Sequence, residues 1–173
     1  MFQTFKNAFK IPDLRNKILF TLFIILLYRI GVAVPVPYIQ TGIENVFGSG
    51  SLFDYLNLLS GGALEQATLF ALGVSPYINA SIIIQLLAIA IPALEKLSKE
   101  GEEGRKKLDS ITRYVTVALA LVTSFGYYML MKNYNAVTNT GAFTAVVIIS
   151  CYCAGAALVM WLAEKIDEKG IGN

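Results

Sequence analysis

The side chains most often used for catalysis are nearly absent from this sequence. It contains no histidine, which removes the commonest general base and metal ligand. Its two cysteines, Cys151 and Cys153, stand two apart in an apolar run. That spacing is not the C-x-x-C of a redox site, and without another Cys or His it builds no zinc site. Two small residues of a helix account for them. No Ser–His pair, intramembrane carboxylate pair or glycine-rich phosphate loop opening a helix is present. No cofactor, metal or enzymatic activity is expected. The polar residues that stand out lie in apolar segments: Arg29, and Ser75, Ser81 and Gln85. Such residues are costly inside a membrane and normally face protein or water.

The elements that carry them follow from composition and charge. Of 173 residues, 55% are hydrophobic and only 15% charged, with a mean hydropathy of +0.60; soluble domains carry about 25% charged residues. A net charge of +2 and the lack of any long polar tract argue against disorder and nucleic-acid binding. Lys and Arg fall in three groups: Lys6, Lys10, Arg15 and Lys17; Lys96, Lys99, Arg105, Lys106, Lys107 and Arg113; and Lys165 and Lys169. Between Ile30 and Glu95 there is no Lys or Arg, and between Tyr114 and Gly141 only Lys132. Basic groups on alternate connections predict a cytoplasmic N-terminus, central loop and C-terminus, with external connections between. Both ends on one side require an even number of spans.

An all-α, polytopic membrane protein with four transmembrane helices is therefore predicted. A cytoplasmic segment 1–17 precedes a first span over 18–37, closed by Pro35-Val36-Pro37. An external segment 38–72 leads to a second span, 73–94, and a cytoplasmic loop, 95–107. The third span covers 108–131, an external loop 132–141, the fourth span 142–163, and a cytoplasmic tail 164–173. Tyr28, Tyr77, Tyr127, Tyr128 and Trp161 are predicted near span ends, where amphipathic rings favour the headgroup layer. No small-residue cleavage site follows the first apolar run, so no signal peptide is predicted. The loop at 95–107 (EKLSKEGEEGRKK) reads either as a solvated hairpin or as a docking element.

Within the external segment, Ser51 and Asp54 form a capping-box-like start, and Gly61-Gly62 a stop. The helix between them, Leu52, Phe53, Asp54, Tyr55, Leu56, Asn57, Leu58, Leu59 and Ser60, is about 13 Å long, far short of a bilayer. It either lies on the surface, which the residues alone favour, or re-enters the protein. At 100° per residue, Ser75, Ile78, Ser81, Ile82, Gln85 and Ile89 share one side of the second span. Ala80, Ile83, Leu87 and Ile91 share the other. The mixed side suits either a lining that passes polar chains or a helix–helix interface with polar cross-links. Arg29 lies near the external end of its helix and is read as structural, snorkelling to the interface or pairing with Glu44, Asp54 or Glu65.

Several stretches resemble SecY, the channel subunit of the bacterial protein-conducting translocon. Tyr28-Arg29-Ile30-Gly31 with Pro35-Val36-Pro37 is similar to the end of that family's first helix. Phe53 through Leu87 is similar to its plug and second helix, and Gly101 through Lys107 to its first cytoplasmic hairpin. Trp161-Leu162-Ala163-Glu164 and Lys169 through Asn173 are similar to the stretch after its fourth helix. The resemblance runs in order through five patches over nearly the whole chain.

The resemblance implies that 52–60 is a plug helix folded into the external funnel of a closed channel. It implies that Ile78 and Ile82 belong to an apolar pore ring. Ser75, Asn79, Ser81 and Gln85 would be gate-facing or pore-facing polar residues at a lateral gate through which signal sequences reach lipid. Implied partners are a C-terminal half of SecY, SecE, SecG, SecA or the ribosome, signal sequences and translocating polypeptides, the insertase YidC, and the bilayer. The implied location is the bacterial inner membrane. The family has ten transmembrane helices in two inverted five-helix halves, whereas this sequence reaches Asn173 after four. It is accordingly read as an N-terminal part of such a channel. The alternative is a fragment that serves as a client of membrane insertion or of a chaperone.

Overall fold

The computed structural model describes residues 11–40, 55, 57, 58 and 60–172. Five helices follow in order: α1 (Pro12–Val32), α2 (Ser75–Ala90), α3 (Pro92–Lys99), α4 (Glu102–Asn133) and α5 (Ala142–Lys169). Their boundaries follow local chemistry. Proline opens α1, α2 and α3 within the first two positions, where a missing N–H costs nothing and φ is already helical. Pro92 also ends α2, because its ring disfavours a helical conformation at Ile91, whose backbone is extended. The resulting bend between α2 and α3 is 103°.

Among the described residues, α4 and α5 are each long and apolar enough to cross a membrane, and the bent α2–α3 pair makes a third candidate. Helix α1, with 21 residues, is about 31 Å long, the thickness of a hydrocarbon core. It carries Asp13, Arg15, Lys17 and Arg29 towards its ends. Among the described residues the fold is all-helical, with two isolated β-bridges in the connections.

Helix α4 packs chiefly on α5 and α2, and α1 lies against α5. The face of α4 turned inward carries Thr112, Thr116, Ala120, Ser124, Tyr127, Tyr128 and Met131, nearly all at four-residue spacing. The hydroxyls of Thr112 and Thr116 donate to carbonyls one turn back, at 2.9 and 2.7 Å, so they enter the interface already satisfied. Small side chains let the backbones approach, which matters in lipid, where packing rather than expulsion of water drives association. At the other end of the bundle, Arg113 Nε donates to Glu164 at 2.8 Å, linking α4 to α5. The Ile171 N–H donates to Thr21 Oγ1 at 3.3 Å and returns the chain to α1.

The loop expected at 95–107 is largely helical. Helix α3 and the first turns of α4 form a hairpin around Gly101, whose φ is +77°. Gly104 sits so close to α3 that a Cβ would stand 1.8 Å from the Leu97 carbonyl oxygen. Glu95–Lys99 and Glu102–Lys106 pair along their helices. Exposed pairs of this kind contribute at most about 1 kcal/mol each.

The sequence reading places 61–72 in the external segment and 73–74 at the start of the second span; residues 61–74 form a non-helical strap packed among α1, α4 and α5. Ala63, Ala67, Thr68, Phe70 and Ala71 are all buried. It contributes Leu64, Ala67 and Ala71 to a cluster with Tyr127, Tyr128, Met131, Ile148 and Tyr152. Ala63 and Phe70 join a second cluster with Ile24, Val32, Val159 and Leu162. The chain after α1 clamps the strap: Val36 N–H donates to the Ala67 carbonyl at 3.1 Å and Leu69 N–H to the Val34 carbonyl at 2.9 Å. The same segment continues to the α4–α5 connection, where Gln40 N–H donates to the Ala136 carbonyl at 2.9 Å.

Candidate functional site

Helix α2 presents two unlike sides. Pro76, Ala80 and Ile84 are buried, at the four-residue spacing that lies along one face. These belong to the side opposite the mixed one read from the sequence, where Ala80 is buried and Ile83 is 40% exposed. Opposite it, Ile78 and Ile82 are about half exposed, at 51% and 50%, and Ser75, Asn79 and Gln85 are exposed as well. Ser81 is half-buried at the border. Gln85 Nε2 donates to Ser81 Oγ at 3.2 Å, so the two polar groups satisfy each other along the helix.

Three cavities border this side. One of about 510 Å³ is lined by Tyr28, Ser60, Leu64, Ile78 and Asn79, among others. A second, about 200 Å³, is lined by Tyr77, Ile78, Ser81, Ile82, Ala163 and Asp167. Ile78 lines both. A third, about 720 Å³, opens where α3 bends away and includes Ser81, Gln85, Glu95, Arg105, Asp109 and Thr112.

The segment at 52–60 is described only at Tyr55, Asn57, Leu58 and Ser60, which are helical. Leu52, Phe53, Asp54, Leu56 and Leu59 fall outside the described residues. The helical turn ends in a Schellman motif: Gly62 N–H donates to the Asn57 carbonyl at 2.9 Å and Gly61 N–H to the Leu58 carbonyl at 3.1 Å. Gly61 and Gly62 take φ of +69° and +84°, a region other residues rarely adopt. Across this turn, Asn57 Nδ2 donates to Glu65 Oε2 at 2.7 Å and Glu65 N–H donates to Asn57 Oδ1 at 3.1 Å. Ser60 Oγ accepts from Leu64 N–H at 3.3 Å.

Arg29 lies beside this turn: a Cβ on Gly61 would stand 3.1 Å from its Nη1. Of the three carboxylates considered for it, Glu65 is engaged by Asn57; Glu44 and Asp54 lie outside the described residues.

Sequence reasoning missed the residues that hold the strap. Tyr127 and Tyr128 were expected in a headgroup belt, but both are buried. The Tyr127 hydroxyl donates to the Leu64 carbonyl at 2.6 Å and the Tyr152 hydroxyl lies 3.4 Å from the Ala67 carbonyl. Their rings meet edge to face, with centroids 4.9 Å apart. Gly155 brings α5 against the strap, and a Cβ there would sit 1.9 Å from the Leu69 carbonyl oxygen. The available signal was a glycine inside an otherwise apolar helix, which marks a close approach of backbone. Replacing Tyr127 by Phe removes one of the two donors to the Leu64 carbonyl, the other being the Ala67 N–H at 3.2 Å, so a loss of about 0.5–1.5 kcal/mol is expected. Tyr152→Phe should cost less, given its longer contact. Thermal unfolding in detergent measures both, and equal stability of Tyr127→Phe and wild type would contradict the role given to that hydroxyl.

The sequence signature of the family described as SecY matches residues 68–173. The chain belongs to the SecY family. It is 45% identical, over its whole length, to the protein translocase subunit SecY of Streptomyces coelicolor, and covers 43% of that protein. It is 43% identical to protein translocase subunit SecY of Mycobacterium tuberculosis strain H37Rv, again over the whole chain and 43% of the relative. The chain thus spans less than half the length of these SecY relatives. Among solved structures, Sec61 in the canine ribosome-channel complex from the endoplasmic reticulum shares the fold. Its TM-score is 0.65 and its identity 21%, covering 92% of this chain and 34% of that one. The SecY signature takes in the second half of the strap, α2 and everything after it; the Asn57–Glu65 contact lies before it.

Proposed function

We propose that this chain is the N-terminal part of the central subunit of a protein-conducting channel. Four spans, α1, the α2–α3 pair, α4 and α5, sit in a bacterial inner membrane with the basic segments on the cytoplasmic side. Residues 52–60 act as the plug and Ile78 and Ile82 as part of the pore ring. Ser75, Asn79, Ser81 and Gln85 line the polar side of the lateral gate. The remaining SecY half, SecE and SecG complete the channel, and SecA or the ribosome drives polypeptides with signal sequences through it; YidC receives some of those destined for the membrane. The protein performs no bond chemistry. It provides a passage whose apolar waist resists leakage.

The observation that supports this reading is that Ile78, half exposed on the unpacked side of α2, lines two cavities, one of which Ser60 also lines. Membership of the SecY family adds to it, since the relatives are named translocase subunits.

The test is photocrosslinking in the full-length channel carrying this sequence, with a secretory polypeptide stalled midway. Crosslinkers at positions 78 and 82 should label the stalled chain, and one at Ile83, on the other side of α2, should not. Equal labelling from all three positions would remove the pore-ring assignment.

A further inference from the structure

The bend of 103° carries α3 away from the line of α2, and the crook of α2, α3 and α4 holds the cavity of about 720 Å³. Its lining divides by chemistry. Ile84, Ala88 and Ile89 of α2 and Leu108 of α4 make an apolar floor, with Ile89 80% exposed. Glu95 and Lys99 of α3 and Arg105 and Asp109 of α4 make a charged rim. The change from floor to rim falls where the second span ends and the third begins, at 94 and 108, the level of the headgroup layer.

The rim carries two cations and two anions, so its formal charges cancel. Lys99 and Glu95 pair with each other. Arg105 and Asp109 stand one turn apart on α4, a spacing at which opposite charges can meet. Yet among the described residues neither lies within 4.0 Å of an opposite charge. Arg113, a turn beyond Asp109, is held by Glu164. A separated cation and anion above an apolar floor complement a molecule that has one charge of each sign and a hydrocarbon chain.

We propose that this crook binds a zwitterionic phospholipid with a primary ammonium, of the phosphatidylethanolamine type. Its phosphate meets Arg105, its ammonium meets Asp109, and one acyl chain runs along Ile84, Ala88 and Ile89. The planar guanidinium matches phosphate oxygens, and an –NH₃⁺ group has three donors for a carboxylate. A choline headgroup has no N–H to donate. An anionic headgroup brings no cation for Asp109 and meets a rim without net charge, unlike the basic clusters that attract anionic lipid. The site rests on the span boundaries given above; neither Ile78 nor Ile82 lines it, so it is independent of the pore ring.

The experiment uses the full-length channel carrying this sequence in nanodiscs of phosphatidylethanolamine, phosphatidylcholine and phosphatidylglycerol. A photocrosslinking residue replaces Ile89, and the adducts are identified by mass spectrometry. Phosphatidylethanolamine should be enriched about tenfold over its share of the bilayer, equivalent to ~1.4 kcal/mol. Asp109→Asn leaves the rim positive and should turn the enrichment to phosphatidylglycerol. Arg105→Gln removes the phosphate partner and should return the adducts to bilayer proportions. Both positions are exposed, and a purely structural role for either would not reverse a headgroup preference. Bilayer proportions in the unsubstituted channel would keep the crook in lipid and overturn the headgroup site. Adducts to the channel's own chains alone would show that protein fills the crook, which also overturns it. Labelling of neither lipid nor protein would put the crook in water, and the span boundaries would fall with the site.

Discussion

Gly155→Ala is expected to be among the most destabilising single changes in this chain, although it adds one methyl group. The Cβ would lie 1.9 Å from the Leu69 carbonyl oxygen and 2.9 Å from its carbon. The obstacle is backbone, so no rotamer change relieves it; either α5 or the strap must move. The strap has little freedom, because Leu69 N–H is bonded to Val34 and neighbouring carbonyls face Tyr127 and Tyr152. Overpacking in cores costs about 1–3 kcal/mol, and a backbone clash belongs at the upper end. A loss near 3 kcal/mol should appear as a lower unfolding temperature in detergent, and Gly155→Leu should be worse. Gly31→Ala offers a comparison: its Cβ would meet the Phe70 ring at 1.9 Å, a side chain that can give way. The glycine–backbone contact is refuted if Gly155→Ala unfolds with wild type, or if Gly31→Ala is the more damaging.

The second large effect is functional. Replacing Ile78 and Ile82 together by Gly in the full-length channel should raise ion leakage about tenfold, the change given by ~1.4 kcal/mol off a permeation barrier. It should also relax selectivity for signal sequences. Both side chains stand half exposed on the unpacked side of α2, so their removal opens space without emptying a core. Hydrophobic constrictions bar ions by excluding water, and on the proposed pore-ring reading the loss of two sec-butyl groups would widen and wet one. Glycine within a helix also costs about 1 kcal/mol per site, so the Ile→Ala pair is the necessary companion. It keeps the helix and still removes most of the side chain. Wild-type leakage and selectivity in both double variants would exclude these residues from the pore ring.

The charge pattern and the long apolar runs located the helices, because both reflect the requirements of a bilayer on composition. Residues 142–163 fall within α5 and 108–131 within α4, and the prolines near the ends of the second span mark the start of α2 and the α2–α3 break. The two-sidedness of α2 was also readable, since Ile78, Ile82 and Gln85 recur at helical spacing. The strap was not. Its sequence, ALEQATLFALGV, is apolar but shows no clean period, because its backbone turns repeatedly instead of repeating. Its support comes from tyrosines 63 and 85 residues away, and no local pattern announces a partner at that distance. One clue was present: a stretch so apolar would be poorly suited to an exposed external loop.

The strap also has a consequence for timing. Non-helical backbone cannot remain in hydrocarbon unless other parts of the protein satisfy its polar groups. The Ala67 carbonyl has an early donor in the Val36 N–H, but its second, the Tyr152 hydroxyl, and the α5 surface that covers the strap arrive about 85 residues later. At ordinary rates of protein synthesis, about 5–20 residues per second, that delay is roughly 4–17 s. During that interval the nascent segment must stay hydrated or be sheltered by another protein. Synthesis of α4 and α5, which bury the strap, then becomes the step after which that segment is sheltered by its own chain.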